Sequence, residues 1–208
     1  MTMTPLSRRG AVVALAAGML APGVALGRVA RNGAAEQFVL SEGQQALAVV
    51  TNRGLAPAAR DAAFRALIDR LADFQRISGF VLGKYARVIT PAQRQRFNAV
   101  FKGYAQRLFQ THLTGFKGNQ LQITGSVVRG PTDTVVNTLV TGDPKAGPLP
   151  VAWRVLGEPG AFKAVDVQTR GVWLAITLQQ DFVSTIDNAG GNVDALIARL
   201  EADGARRG

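Results

Sequence analysis

The residues that could perform catalysis or bind a metal are few in this sequence. His112 is the only histidine, and the chain contains no cysteine. A Ser-His-Asp arrangement or a histidine-ligated metal would therefore depend on His112 alone. Its neighbours Thr111, Leu113 and Thr114 show no ligand spacing. We therefore expect His112 to be a helix-end or surface residue, and we expect neither a catalytic site nor a metal site.

The sequence also contains no motif that indicates general acid–base catalysis or phosphate binding. Asp166 is the one carboxylate inside a predicted strand, and no partner carboxylate is apparent for it, so we expect it to have a structural role. Neither a Gly-x-x-x-x-Gly-Lys-Ser/Thr loop nor a Gly-x-Gly-x-x-Gly turn before a helix occurs. The lack of cysteine also excludes disulfides and a lipobox anchor. The sequence thus predicts a protein that is not an enzyme and that has no cofactor.

Apolar side chains are in excess, and many aromatic ones fall on predicted inward faces. Hydrophobic residues make up 47% of the 208 residues and charged residues 18%, which is typical of a globular chain with a substantial core. The aromatic residues concerned are Phe80, Phe97, Phe101, Tyr104, Trp153, Trp173 and Phe182. Two interpretations stay open, because such residues can form a filled core or can line a cavity that binds an apolar ligand.

Between about residue 34 and Gly115, apolar residues recur with the spacing that is typical of helices. Three helices are predicted before residue 90: one over residues 34–52, a second that begins near Pro57 and has its apolar stripe over 62–74, and a third over 77–88. A fourth begins at Thr90-Pro91, where Gln93 completes a capping-box pattern. The apolar face of this fourth helix consists of Phe97, Phe101, Tyr104 and Leu108.

After Gly115 the apolar period changes to two, which predicts strands. About four strands joined by short turns indicate an antiparallel sheet with one face on the core. Residues of these strands assigned to the inner face are Val127, Val151, Trp153, Val155, Val165 and Val167. The chain ends in helices predicted over 173–186 and 193–200. Helices gathered on one face of such a sheet define an α+β fold.

The N-terminus has the three parts of a cleavable signal peptide. The arginine pair Arg8-Arg9 precedes an apolar run over residues 10–26, which ends in the small-x-small sequence Ala25-Leu26-Gly27. We predict that residues 1–27 are removed and that residues 28–208 form a single periplasmic domain. The arginine pair leaves both the general and the twin-arginine export routes open.

Two further properties bear on export and on partners. A transmembrane anchor is the alternative for the N-terminal run, but Pro22 and many Ala and Gly residues argue against it. The formal charge is +10, and it falls to +8 without Arg8 and Arg9. Such an excess favours anionic partners such as lipid headgroups, whereas export argues against nucleic acid. The alternative, which also stays open, is that the charge mainly keeps an apolar protein soluble.

Two segments of the sequence are specific when their order and spacing are taken together. The first runs Phe80-Val81-Leu82-Gly83-Lys84-Tyr85 and continues to Thr90-Pro91 and Arg96-Phe97. The second comprises Val165-Asp166-Val167, Gly171-Val172, Leu174, Phe182 and Ala195-Leu196-Ile197-Ala198-Arg199-Leu200. From about Phe38 to Leu200 this pattern resembles the MlaC-type (toluene-tolerance) family of periplasmic phospholipid-binding proteins.

This resemblance implies an NTF2-like curved sheet with helices around an apolar cavity, in which acyl tails lie inside and the headgroup lies near the mouth. It implies a monomeric shuttle between an outer-membrane lipoprotein complex and an inner-membrane ABC transporter, which maintains outer-membrane lipid asymmetry. The nearest basic residues for the mouth and for docking are Lys84, Arg87, Arg94 and Arg96. The expected lipid-contacting residues are Phe80, Val81, Phe97, Phe101, Tyr104, Leu108, Val127, Val151, Trp153, Val155, Val165, Val167, Trp173 and Phe182.

The sequence departs from the family pattern at three places. Phe162 stands where a Trp is usual, Trp173 stands where a small Ser is usual, and Thr177-Leu178-Gln179 replaces an Asn-Tyr-Arg-like stretch. A bulky Trp173 is expected to narrow or reshape the cavity. A hopanoid or another envelope lipid therefore stays open as the cargo. Two other classes also stay open, an NTF2-like enzyme acting on a small apolar substrate and a structural envelope protein.

Overall fold

The computed structural model describes residues 30–114, 118–143 and 147–206, with the side chains of 111–114 excepted. The predicted signal peptide lies outside these residues, as does the His112 side chain. Within them the chain forms six α-helices, one short 3-10 helix and five strands. In chain order these are α1 (Gly33–Thr51), α2 (Pro57–Leu71), α3 (Phe74–Val81), the 3-10 helix (Gly83–Arg87), α4 (Pro91–Thr114), β1 (Gln120–Gly130), β2 (Asp133–Thr141), β3 (Leu149–Leu156), β4 (Lys163–Thr169), β5 (Val172–Trp173), α5 (Leu174–Asn188) and α6 (Val193–Ala205).

Side chains cap the helices where the sequence indicates that they begin. The capping box predicted for α4 is confirmed, because the Gln93 backbone N–H donates to Thr90 Oγ1 over 3.2 Å and the Thr90 N–H donates to Gln93 Oε1 over 3.1 Å. The side-chain oxygen of Asn32 accepts from the Ala35 N–H over 3.0 Å at the start of α1. Each cap satisfies a backbone donor that has no partner within its helix.

The single helix predicted over residues 77–88 is wrong in its extent. Helix α3 ends at Val81, and the chain continues as the short 3-10 helix from Gly83. Gly83 has a φ of +53°, which interrupts the right-handed helix. A Cβ at Gly83 would also lie 2.8 Å from Val183 Cγ2 on α5. Glycine therefore allows the chain to turn tightly against α5 at this point.

The five strands form one antiparallel sheet in the order β1-β2-β3-β4-β5. The predicted α+β class is confirmed, with a fifth strand added to the four expected. Strand β5 is only two residues long, and it pairs Val172 with Thr169 and Trp173 with Gln168. Trp173, which the periodicity placed in a helix, instead lies in β5 directly before α5.

Buried side chains in the described residues form three separate clusters. The first joins α3, α4, α5 and α6, and in it the rings of Phe97 and Phe101 stack at 5.4 Å and meet the edge of Phe182 at 6.1 Å. The second places α1 and α2 on the sheet around Val136 and Val155. The third cluster consists of Leu121, Val140, Val151 and Val167. Three partly buried residues bridge these clusters: Phe74 packs against the first and the second, and Phe109 and Trp153 pack against the second and the third.

Candidate functional site

An apolar cavity lies where the three clusters meet. Phe101 from the first cluster, Ile68 from the second and Val151 from the third all contribute to its wall. Its volume is about 120 Å³, and it opens to solvent. The helices and the sheet thus enclose a space that side chains do not fill.

Small residues on the helices leave much of this room. Gly43 and Ala46 on α1, Ala105 on α4 and Ala175 on α5 all line the cavity. A Cβ at Gly43 would lie 2.4 Å from Leu121 Cδ2, so glycine lets α1 approach the first strand closely. That close approach closes the wall between α1 and the sheet, while the alanines keep the interior wide.

The wall of the cavity offers very few polar groups. Among its lining residues, Asp166 and Thr169 are the ones with a carboxylate or a hydroxyl. The indole of Trp153 also lines it, but its Nε1–H donates to Thr138 Oγ1 over 3.1 Å. A ligand that fits this wall is therefore apolar over most of its surface.

Asp166 is held by the backbone rather than by a second acid. Its Oδ1 accepts from the Val167 N–H over 2.8 Å and from the Ala175 N–H, in the first turn of α5, over 2.9 Å. Burial raises the pKa of Asp166 above its ordinary range, against the opposing effects of those N–H groups and of Arg154. The carboxylate thereby ties the start of α5 to β4. No other carboxylate is among the described residues that line the cavity.

Six of the fourteen residues predicted to contact lipid lie on the cavity wall. Phe101 and Leu108 reach it from α4, and Val151 and Trp153 reach it from β3. Val165 and Val167 on β4 complete the six. The fourth helix and the third strand thus contribute these residues to one cavity wall, and their contact with lipid stays a prediction.

The structure places the other eight away from the wall. Phe97, Phe182 and Val81 are fully buried in the first cluster, against which Tyr104 packs, and Val155 is fully buried in the second. Phe80 is 39% exposed and Val127 is 41% exposed, although both were expected to point inward. Trp173 is half-buried and is not among the residues that line the cavity. Periodicity identified buried faces here, but most of these faces pack against other side chains.

Residues of the first two helices were missed as part of the site. Gly43, Ala46, Leu47 and Val50 from α1, and Ile68 and Leu71 from α2, line the cavity. The available signal was the run of small residues at helical spacing in α1, where Gly43, Ala46 and Val50 recur on one face. Such a face indicates that something approaches closely, but it does not distinguish another chain segment from a ligand.

Three of the four basic residues proposed for the mouth or for docking are engaged elsewhere. Lys84 Nζ lies 2.8 Å from Asp187 Oδ1, and Arg96 pairs with both Asp194 and Glu201. Arg94 donates to the carbonyl of Ala86. Arg87 is exposed and makes no ion pair within the described part of the chain.

Two features of the described residues concern membranes and metals. None of the helices in residues 30–114 and 147–206 is long and apolar enough to cross a membrane. Within the same residues no three histidine or acidic side chains come together as metal ligands.

Comparison with known proteins finds a matching family and a solved structure with a similar fold. The family model described as "MlaC protein" matches residues 42–202. A solved structure of a phospholipid-binding protein from Ralstonia solanacearum, in complex with a phospholipid, has a similar fold with a TM-score of 0.70. That protein is 24% identical in sequence, and the match covers 83% of this chain and 97% of that chain. The resemblance found in the sequence is thereby confirmed.

Proposed function

Because this chain belongs to the MlaC family, we propose that it is a periplasmic lipid carrier that holds the acyl tails of a phospholipid in the cavity between its sheet and helices. In this proposal the loaded protein moves lipid between an outer-membrane lipoprotein complex and an inner-membrane ABC transporter. The observation that carries the proposal is the apolar wall, with Asp166 and Thr169 as its carboxylate and hydroxyl groups.

The physical requirement on a lipid carrier matches such a wall. Exposing acyl chains to water costs about 0.8 kcal/mol for each methylene, so two chains cost on the order of 20 kcal/mol. A carrier lowers this cost by enclosing the tails in apolar surface, and it needs no bond chemistry. The polar groups near the wall fit this role, because Asp166 and Trp153 both direct their hydrogen bonds to the protein.

The Ralstonia solanacearum protein supports phospholipid as the cargo, since it holds a phospholipid in a similar fold. A hopanoid was considered because Trp173 was expected to reshape the cavity. Trp173 lies off the wall, so that reason no longer favours a polycyclic lipid. Other envelope lipids remain as outcomes of the experiment.

The test is the identity of the lipid that the protein carries. The full chain is expressed in a Gram-negative host, purified from the periplasm without detergent, and examined by native mass spectrometry and by lipid extraction. We expect about one phospholipid per protein. A polycyclic lipid at the same ratio would reassign the cargo, and protein that is consistently free of lipid would overturn the proposal.

Transport is tested separately by transfer. Protein loaded with labelled phospholipid is mixed with vesicles that contain the inner-membrane ABC transporter and with vesicles that lack it. We expect faster transfer to the vesicles with the transporter. Equal rates would contradict the proposed partner while leaving lipid binding intact.

A further inference from the structure

Apolar side chains are exposed along one side of helix α5. Ile176 on α5 is 42% exposed, Val172 just before α5 is 50% exposed, and Phe80 at the end of α3 is 39% exposed. We call these three residues the apolar strip. Most apolar residues of this size in the described chain are buried, so a strip of three requires a reason.

Contacts of α5 place two residues of the strip, Ile176 and Phe80, on the same side of the molecule. Ile176, Gln179 and Val183 are spaced at i, i+3 and i+7, so they share one face of the helix. Gln179 Nε2 donates to the carbonyl of Phe80 over 2.6 Å, and Val183 faces Gly83. The face that carries Ile176 is therefore turned toward the end of α3, and Ile176 lies one turn from the residue that binds Phe80.

Cationic side chains lie at both ends of the strip. Arg170 precedes Val172 by two residues, and Lys84 and Arg87 lie in the 3-10 helix after Phe80. All three are exposed. Within the described residues, Arg170 and Arg87 make no ion pair and no side-chain hydrogen bond, whereas Lys84 pairs with Asp187.

The backbone of Arg170 is unusual as well. Arg170 and Gly171 connect β4 to β5 in a two-residue turn, with φ values of +50° and +80°. Such a turn favours Asn or Gly at its first position, because other side chains are strained at positive φ. An arginine in this place projects a positive charge from a rigid turn beside the apolar strip.

We propose that the apolar strip, with Arg170 and Arg87, docks on an anionic lipid surface. Apolar side chains that enter the headgroup boundary and flanking cations that meet phosphate groups are the two parts of an interfacial contact. Arg170 at one end and Arg87 at the other supply positive charge for such a surface, while the charge of Lys84 is balanced by Asp187. The opposite face of α5 carries Leu174 and Leu178 on the cavity wall, so docking would bring the cavity within one helix diameter of the membrane.

This docking goes beyond lipid carriage, because a carrier that met only protein partners would not need it. The experiment is flotation of purified protein with vesicles of phosphatidylglycerol, with phosphatidylcholine vesicles for comparison. The test variants are Ile176→Ser, Arg170→Asn and Arg170→Glu. Matched controls on the first strand are Val128→Ser and Arg129→Glu, at residues that are likewise exposed and, in Arg129, without an ion pair in the described chain.

We expect the wild-type protein to float with phosphatidylglycerol and to be released by high salt. A basic side chain at an anionic surface contributes a factor of about five, so Arg170→Asn should weaken binding about fivefold and Arg170→Glu about 20-fold. Ile176→Ser should also weaken binding, whereas Val128→Ser should leave it unchanged. Arg170→Asn suits the turn, so its loss of binding should come without a loss of stability.

Two results would overturn the inference. One is a wild-type protein that does not bind phosphatidylglycerol vesicles, which would leave a protein partner as the occupant of the strip. The other is an equal loss in Arg170→Glu and Arg129→Glu, which would assign binding to net charge alone. Lipid content, measured by mass spectrometry on each variant, separates these failures from a failure of lipid carriage.

Discussion

Replacing Val151 by Phe would place extra bulk directly in the cavity. Val151 lies on β3, is 9% exposed and lines the cavity wall. Phe adds about four carbon atoms, which would displace about the same number of lipid methylenes at about 0.8 kcal/mol each. The expected loss of lipid affinity is therefore about 3 kcal/mol, or more than a hundredfold.

The matched control is Val155→Phe on the same strand. Val155 is fully buried in the second cluster, away from the cavity, so a larger side chain there must displace packed neighbours. Overpacking of this kind costs about 1–3 kcal/mol of stability. We expect Val155→Phe to lower the free energy of unfolding and Val151→Phe to leave it about unchanged in the lipid-free protein.

Two measurements on each variant decide the outcome: lipid per protein by mass spectrometry, and the urea midpoint of the delipidated form. The reasoning is refuted if Val151→Phe keeps its lipid and loses as much stability as Val155→Phe. In that case the space beside Val151 is a packed core in solution.

Four further predictions concern other parts of the molecule. Because burial raises the pKa of Asp166, the folded state binds this proton more tightly than the unfolded chain. The free energy of unfolding should therefore fall as the pH rises from the ordinary pKa of an aspartate to the raised one, and the difference between wild type and Asp166→Asn across urea titrations should show this slope. Asp69→Ala should cost about 1–3 kcal/mol by urea unfolding, since it removes the 2.6 Å acceptor of the buried Gln106 amide, whereas Asp69→Asn should cost less. His112→Ala should change neither lipid loading nor the urea midpoint, because the sequence offers His112 no catalytic partner. N-terminal sequencing of periplasmic protein should give a start near Arg28, and full-length protein in salt-washed membranes would contradict this.

The sequence predicted the helices and the main strands because their burial is periodic. The pattern of β2 alternates without a break from Asp133 to Thr141, and the capping residues of α4 mark its start to the residue. Strand β5 was missed because two residues carry no period. The break at Gly83 was missed because its cause, contact with α5 together with positive φ, lies outside the local sequence.

The site was harder to predict than the fold for a physical reason. Phe97 and Phe101 are one turn apart on α4 and equally buried, but only Phe101 reaches the cavity. Apolar periodicity predicts that a side chain is buried. It does not distinguish a side chain that packs against other side chains from one that lines a ligand cavity. The part of the cavity wall that α1 forms was not predicted, because small residues such as Ala46 add little to the apolar pattern of a helix.

A core divided around an open space also changes how the protein should respond to hydrostatic pressure. Voids disappear when a chain unfolds, so unfolding reduces the volume of the system, and pressure favours the unfolded state. The volume change on unfolding is usually about −20 to −100 mL per mole for a domain, and it grows with the void volume that unfolding eliminates. The empty form should therefore unfold at lower pressure than the loaded form, in which tails occupy the void. The pressure at which the protein unfolds thus distinguishes the lipid-free from the lipid-loaded carrier, whatever the chemistry of the lipid.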